Sequence, residues 1–174
     1  MIGFSFTPFP ILTTEHYTLR QLSVWDENEL FAIRSDIDVA EYLDRPLAKS
    51  IEEIRQFIEK INNSISKNES IYWVINYKDE SKLIGSICLW NISWEESKAE
   101  IGFELLPEYQ GKSIMQEVLP VIIKFAFENM KLLLIEGEVD ADNLKSIALM
   151  VKNGFVYDRD LEYTVVYSLK KYKK

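Results

Sequence analysis

Leu105-Leu106-Pro107-Glu108-Tyr109-Gln110-Gly111-Lys112-Ser113-Ile114-Met115 is the stretch on which the reading of this chain turns. The residues before it, Lys98 to Leu106, alternate as a strand, and Pro107 ends that strand because proline has no N–H to give a sheet ladder. After it, Ile114, Met115, Val118, Leu119, Ile122 and Ala126 recur at helical spacing, while Val121, Ile123, Phe125 and Phe127 widen the apolar face. A strand, a short polar turn and a long buried helix therefore follow one another, with Pro120 bending the helix. The unpaired N–H groups of the first helical turn point back toward the strand end and, with the helix dipole, form a place for an anion. Gly111 lets the backbone come close and Lys112 adds positive charge, which suits a pyrophosphate. A plain turn at a helix start accounts for the same residues equally well. The phosphate loop of nucleotide hydrolases is a poor match, since its earlier glycine falls where this chain has Leu106.

Working outward, Thr18 to Leu22 reads as a first strand, and Ile71–Tyr77 and Leu83–Ile92 as a hairpin about the turn Lys78-Asp79-Glu80-Ser81. Leu132 to Val139 is a strand following the long helix, so Glu100 to Val139 forms a strand–helix–strand crossover. Asp142 or Asn143 begins another helix, with Leu144, Ile147, Ala148 and Val151 on its apolar face and Gly154 at its stop. Phe155-Val156-Tyr157 and Thr164 to Leu169 make a final strand pair. Nearer the start, Asp26 and Glu29 form a capping box for a helix to Arg34, and Val39 to Leu43 is a short turn before Pro46. Ser50 and Glu53 cap a helix with the stripe Ile51, Ile54, Ile58, Ile61 and Ile65, which Asn62, Asn63, Ser64, Ser66 and Asn68 dissolve. The first fourteen residues read as an extended arm. The class is mixed α/β (α+β), with residues 1–174 as one domain.

Composition narrows the chemistry. A net charge of −8, from 28 acidic and 20 basic side chains, repels nucleic acid, and the only basic cluster is Lys170, Lys171, Lys173 and Lys174. The same charge favours cationic acceptors. One cysteine and one histidine exclude an intrachain disulfide and a typical zinc site. Cys88 sits in the apolar run Ile87-Cys88-Leu89-Trp90 as buried filler, and His16 reads as a surface residue. Pro8 and Pro10 interrupt the only apolar leader, so neither signal peptide nor membrane helix is expected and the localisation reads as cytoplasmic.

Asn143 and Ser146 stand three apart on one helix face, in Asp142-Asn143-Leu144-Lys145-Ser146, where helix capping also explains them. With Ala99-Glu100-Ile101-Gly102-Phe103, Pro107 to Lys112, Gly154-Phe155 and the opening Phe9-Pro10-Ile11-Leu12-Thr13-Thr14-Glu15, the chain resembles the GNAT N-acetyltransferase superfamily over nearly its whole length. The most similar branch acetylates the N-terminal amines of ribosomal proteins. That resemblance implies a mostly antiparallel sheet of six to seven strands with helices on both faces, and a V-shaped splay between the strands ending at Leu106 and Val139. It implies acetyl-coenzyme A as cosubstrate, no metal, and direct transfer to a primary amine of a peptide N-terminus or small molecule.

By the same resemblance, Phe103, Leu105 and Leu106 would pair with the pantetheine arm. Gln110, Gly111, Lys112, Ser113, Ile114 and Met115 would hold the pyrophosphate. Asn143 would bond the pantetheine, and Ser146 would protonate the leaving thiolate. Gln110 fits the superfamily pattern, but Ser113 stands where its first glycine belongs, and Met115 at the second small residue. A degenerate coenzyme A-binding protein without turnover is the alternative. Glu100 and Glu104 share one face of their strand. Glu100 holds the family position and is the first choice for base or amine orienter; both carboxylates also have a purely structural reading. An N–H near Leu105 would polarise the acetyl carbonyl. Trp25, Tyr42, Trp73, Trp90 and Trp94 have no assigned role, and the final hairpin leaves room for a homodimer.

Overall fold

The alternating segments of the chain assemble into one eight-stranded sheet, in a computed structural model that describes residues 4–172. Lys173 and Lys174 of the basic tail lie outside the described residues. The strands are β1 (Leu12–Thr13), β2 (Tyr17–Gln21), β3 (Ile71–Tyr77), β4 (Gly85–Ser93), β5 (Lys98–Leu105), β6 (Leu134–Asp140), β7 (Val156–Asp160) and β8 (Thr164–Lys170). Their order is β1-β2-β3-β4-β5-β6-β8-β7. The eighth strand, beyond the six or seven expected, comes from the arm: Leu12 and Thr13 pair with Leu19 and Thr18.

Every neighbouring pair is antiparallel except β5 and β6, which are parallel because α4 (Ile114–Glu128) carries the chain back across the sheet. That parallel pairing covers only Lys98↔Leu134, Ala99↔Ile135 and Glu100↔Glu136. Beyond it, β5 continues against β4 and β6 against β8, so the facing edges part into a V. At its base the packing is tight. A Cβ on Gly137 would lie 2.6 Å from Met150 Sδ and 3.6 Å from Ile101 Cγ2. Met150 belongs to α5 (Leu144–Lys152), so glycine at 137 is what lets this helix sit down on β6.

The pleat divides the work between the two faces. Trp73 meets Phe125 of α4 edge-on at 5.4 Å, whereas its neighbour Tyr72 meets Phe57 of α3 (Ile51–Ser66) at 6.1 Å. Helices α4 and α5 thus cover one face, and α1 (Glu27–Ser35) and α3 cover part of the other. Helix α4 buries Ile114, Met115, Val118, Leu119, Ile122, Phe125 and Ala126, as its spacing predicts. Pro120 lies on its exposed side, where the carbonyl that loses its partner meets water. Phe4 and Phe6 of the arm pack against Trp94, and Trp73 Nε1 donates to Pro10 O at 2.8 Å. Among the described residues no helix is long and apolar enough to cross a membrane.

Local expectations fail in four places, each for a visible reason. The capping box is Ser23 with Asp26, heading a short 3-10 turn, rather than Asp26 with Glu29. The carboxylate of Asp26 is taken by Arg20, at 2.7 and 2.9 Å, and by Ser23 N. The turn expected over Val39 to Leu43 is α2 (Ile37–Ala40), begun earlier because Asp36 caps it. Helix α3 runs through Asn62 to Ser66 because Asn62 is fastened from outside, donating to Leu22 O and accepting from Gln21 Nε2. On α5, Ile147 and Met150 face inward while Leu144, Ala148 and Val151 are exposed. Residue 150 is the one that must fill the space over Gly137.

Glu117, in the first turn of α4, gathers three donors from the arm's end. It accepts from Thr14 Oγ1 and from His16 N at 2.8 Å, and lies 2.9 Å from His16 Nδ1. The bond to Glu117 raises the His16 pKa above its ordinary 6.5. For Glu117, burial pushes upward, but the bonds from Thr14 and His16 outweigh it and hold the carboxyl below its ordinary 4.5. The raised histidine contributes stability fully below about pH 6.5 and loses it as pH rises through its folded value. The depressed carboxylate contributes above about pH 4.5 and loses it as pH falls through its folded value. Thermal melts of wild type and Glu117→Gln should therefore differ most near about pH 6. The gap should narrow toward about pH 9, and a gap independent of pH would contradict the strap.

Candidate active site

The wide end of the V is where two parallel strands finish and two helices begin. Strand β5 leads through the turn Pro107–Tyr109 to the start of α4, and β6 leads through Ala141 and Asp142 to the start of α5. Parallel strands carry the following helix N-termini to the same end, so two sets of unpaired N–H groups and two dipoles converge on one cleft.

The loop into α4 is shaped by backbone conformation. Leu106 N donates to Ile84 O at 3.0 Å and its carbonyl accepts from Tyr109 N at 2.9 Å, so Leu106 fixes the turn and has no free backbone donor. Gln110 Nε2 donates to Leu105 O at 3.3 Å. Gly111 has φ 72° and Ser113 has φ 62°. Ser113 thus takes the left-handed conformation of a glycine although it is none, and its hydroxyl does not cap the helix. Positive-φ residues in a turn before a helix can bring successive N–H groups toward one point, the way a backbone nest binds an anion. The side chains of Ile114 and Met115 are buried, which leaves their N–H groups as what they present to the cleft. The Lys112 ammonium lies 5.5 Å from the Tyr109 ring centre. Phe103 and Leu105 are half-buried on the open edge of β5.

At the second helix start, Asn143 Oδ1 accepts from Ser146 N at 3.2 Å, so Asn143 is the cap of α5. The Ser146 hydroxyl is half-buried and forms no hydrogen bond among the described residues. Lys152 Nζ, at the other end of α5, donates to Gln116 Oε1 at 2.6 Å and ties this helix to the first turn of α4.

On the α1–α3 face of the V stand the carboxylates. Glu100 and Glu104 do share a strand face, but their surroundings differ. Glu100 lies where the strands still pair, opposite Glu136, and accepts from Asn91 Nδ2 at 3.0 Å. Glu136 is itself held by Arg159 at 2.7 Å. Glu104 is half-buried in an ion pair with Arg45 Nη2 at 3.0 Å. Nothing in the local sequence marked Arg45, which reaches Glu104 across 59 positions. In the same segment the Tyr42 hydroxyl has its pKa raised, first by the charge of Glu41, with Asp140 and Asp142 adding to it. Burial, then the charge of Glu104, pushes the Cys88 thiol up to about 12, so it stays protonated and is no nucleophile. Among the described residues no cluster of His, Cys, Asp and Glu is arranged to hold a metal ion. Trp73 and Trp94 are packing residues, while Trp25 and Trp90 are exposed.

Residues 16–156 match the family model of the acetyltransferase (GNAT) domain. Over 147 residues the chain is 31% identical to the uncharacterized N-acetyltransferase YoaA of Bacillus subtilis, covering 84% of this chain and 83% of that protein. RimL, a ribosomal-protein α-N-acetyltransferase solved in complex with coenzyme A, is similar with a TM-score of 0.82 at 18% identity, over 92% of this chain and 98% of that one. The ribosomal-protein-S5-alanine acetyltransferase of Vibrio fischeri gives 0.79 at 24% identity, over 92% and 96%. At those identities the two structures speak for the fold.

The left-handed Ser113 gives a direct test of the loop. A residue with a Cβ pays about 1 kcal/mol or more for that conformation, so Ser113→Gly should stabilise the protein by about 1 kcal/mol, or roughly 2–4 °C in melting temperature. A lowered melting temperature would mean that the serine side chain, not the backbone turn, is what the loop needs.

Proposed function

The chain belongs to the GNAT acetyltransferase family, acyltransferases that use acetyl-coenzyme A, and from that premise we propose that it acetylates a primary amine by direct attack in a ternary complex. The amine is that of a peptide N-terminus or a small molecule. The observation that carries this reading is the set of unspent donors around the V: the parted edge of β5, the left-handed loop before α4, and the free hydroxyl of Ser146. Such groups are met by water until a ligand takes its place. A long, polar, anionic cosubstrate fits that set.

Acetyl-coenzyme A, when bound, supplies an acetyl group activated as a thioester. The edge of β5 at Phe103 and Leu105 would pair with the amide-bearing arm as a further strand does. The N–H groups from Gly111 to Met115, with Lys112 and Gln110 beside them, would take the pyrophosphate charge. The amide of Asn143 would bond the arm, and Ser146 would stand ready to give a proton to the departing sulfur. An N–H near Leu105 would stabilise negative charge on the carbonyl oxygen. Glu100 would orient the amine and take its proton, directly or through water. It is the better placed of the two carboxylates, since Glu104 is already engaged by Arg45. The chain's net charge of −8 is in keeping with a cationic acceptor.

Two measurements test this. Millimolar acetyl-coenzyme A should raise the melting temperature by mass action, as desulfo-coenzyme A also should. A panel of amines should then release free thiol, and Glu100→Gln should lower kcat by about 10²- to 10⁴-fold, with little change in KM for the donor. A thermal shift without thiol release from any amine would instead identify a coenzyme A-binding protein without turnover.

A further inference from the structure

A cavity of about 490 Å³ lies beside the V on the α1–α3 face, under the segment that follows α2. Its charged lining is Arg34, Lys49 and Lys60 against one carboxylate, Glu53. That balance runs against a chain whose net charge is −8. The single carboxylate is also committed, since Glu53 Oε2 accepts Lys49 N at 2.8 Å to finish the cap of α3.

Arg34 is the residue whose guanidinium has no acceptor among the described residues. Its guanidinium lies 3.9 Å over the ring centre of Phe57, half-buried, and its side chain forms no hydrogen bond or ion pair among the described residues. Burial pulls its pKa down, against the pull of nearby Glu104. Beside it, Arg45 Nη1 donates to Arg34 O at 3.0 Å while Nη2 takes Glu104. Glu104 is therefore spent on Arg45, and Arg34 feels its charge without pairing with it. Behind the cavity wall, Arg45 Nε and the Tyr72 hydroxyl are both buried without a hydrogen-bond partner among the described residues. A half-buried positive charge lacking a counter-ion is stabilised by any anion that reaches it. Arg45 and Glu104 connect this cavity to the rim of the V, because Glu104 lies on β5 between Phe103 and Leu105.

We propose that this cavity is an acceptor subsite for a carboxylate, with Arg34 binding it and Lys49 and Lys60 adding to its field, so that the preferred acceptor carries both an amine and a carboxylate set away from it. The inference rests on the acetyl-transfer reading. It selects amino acids, or peptides with an acidic side chain near the N-terminus, over simple amines and polyamines. Phe57 holds the guanidinium in place as a preformed fork for a bidentate anion.

Matched acceptor pairs test it: a small amino acid against its amide, and a short peptide with Asp or Glu at its second or third residue against Asn or Gln there. The wild-type enzyme should prefer the carboxylate member of at least one pair by about 10- to 100-fold in kcat/KM, and the arm that shows the preference tells small from peptidic acceptors. Arg34→Gln should abolish the preference and change the amide member by less than about threefold. The double change Lys49→Gln with Lys60→Gln, at two exposed positions, should weaken the same preference with no loss of melting temperature. Equal losses on both members in Arg34→Gln, or no preference in wild type, overturn the subsite. If no amine is turned over, the acetyl-transfer reading fails instead, and the subsite is then judged by binding. Glutarate should raise the melting temperature of wild type but not of Arg34→Gln, and equal responses overturn it.

Discussion

Three residue pairs of parallel ladder, Lys98↔Leu134 to Glu100↔Glu136, set the terms for the rest of the molecule. Had β5 and β6 gone on pairing, their polar edges would be satisfied by each other and the sheet would be closed. Because they part, each keeps a row of backbone donors and acceptors that only a guest or water can meet. Met150, pressed against Gly137 next to Ile101, sits at the apex of that parting. The crossover then carries both following helices to the open end, so the edges and the helix termini face one space.

The V also joins two environments that are otherwise separated by the sheet. On the α4–α5 side are backbone N–H groups and one lysine, a setting for phosphates and amides. On the α1–α3 side are Glu100, bonded by the Asn91 amide, and Glu104 and Glu136 with their arginine partners, a setting for a charged amine. Donor and acceptor are thereby proposed to approach from opposite faces and meet where the strands divide. Ser113 fits this division, because a loop that works through its backbone tolerates a serine as long as φ stays at 62°.

Much of this was legible in the residues. The alternation of Ile71–Tyr77 against Leu83–Ile92 about a polar turn gave the hairpin, and the change to helical spacing at Ile114 gave α4, because both signals are local and periodic. The splay itself came from family resemblance, since no local pattern says where two strands stop pairing. What was missed depends on distant partners. Asn62 and Asn63 look like helix breakers until Leu22 and Gln21 bond Asn62. The apolar side of α5 was assigned to Leu144 and Val151, but the void over Gly137 selects Met150. Arg45 lies in irregular chain after α2, and only the fold brings it to Glu104. Glu100 was picked by position in a motif, and the structure adds why it differs from Glu104: one is held by a neutral amide, the other by a guanidinium.

The parted edge of β5 also has a signature in solvent exchange. Along a strand paired on one side, successive amides point alternately toward the partner and away from it. From Gly102 to Leu105, beyond the last β5–β6 pair, every second amide hydrogen is therefore locked against β4, while its neighbours open onto the V. Deuterium uptake along these few residues should read as a comb, slow and fast by turns, within one rigid strand. The fast teeth report the emptiness of the cleft alone, which makes this short edge an internal gauge of occupancy that needs no chemistry to be read.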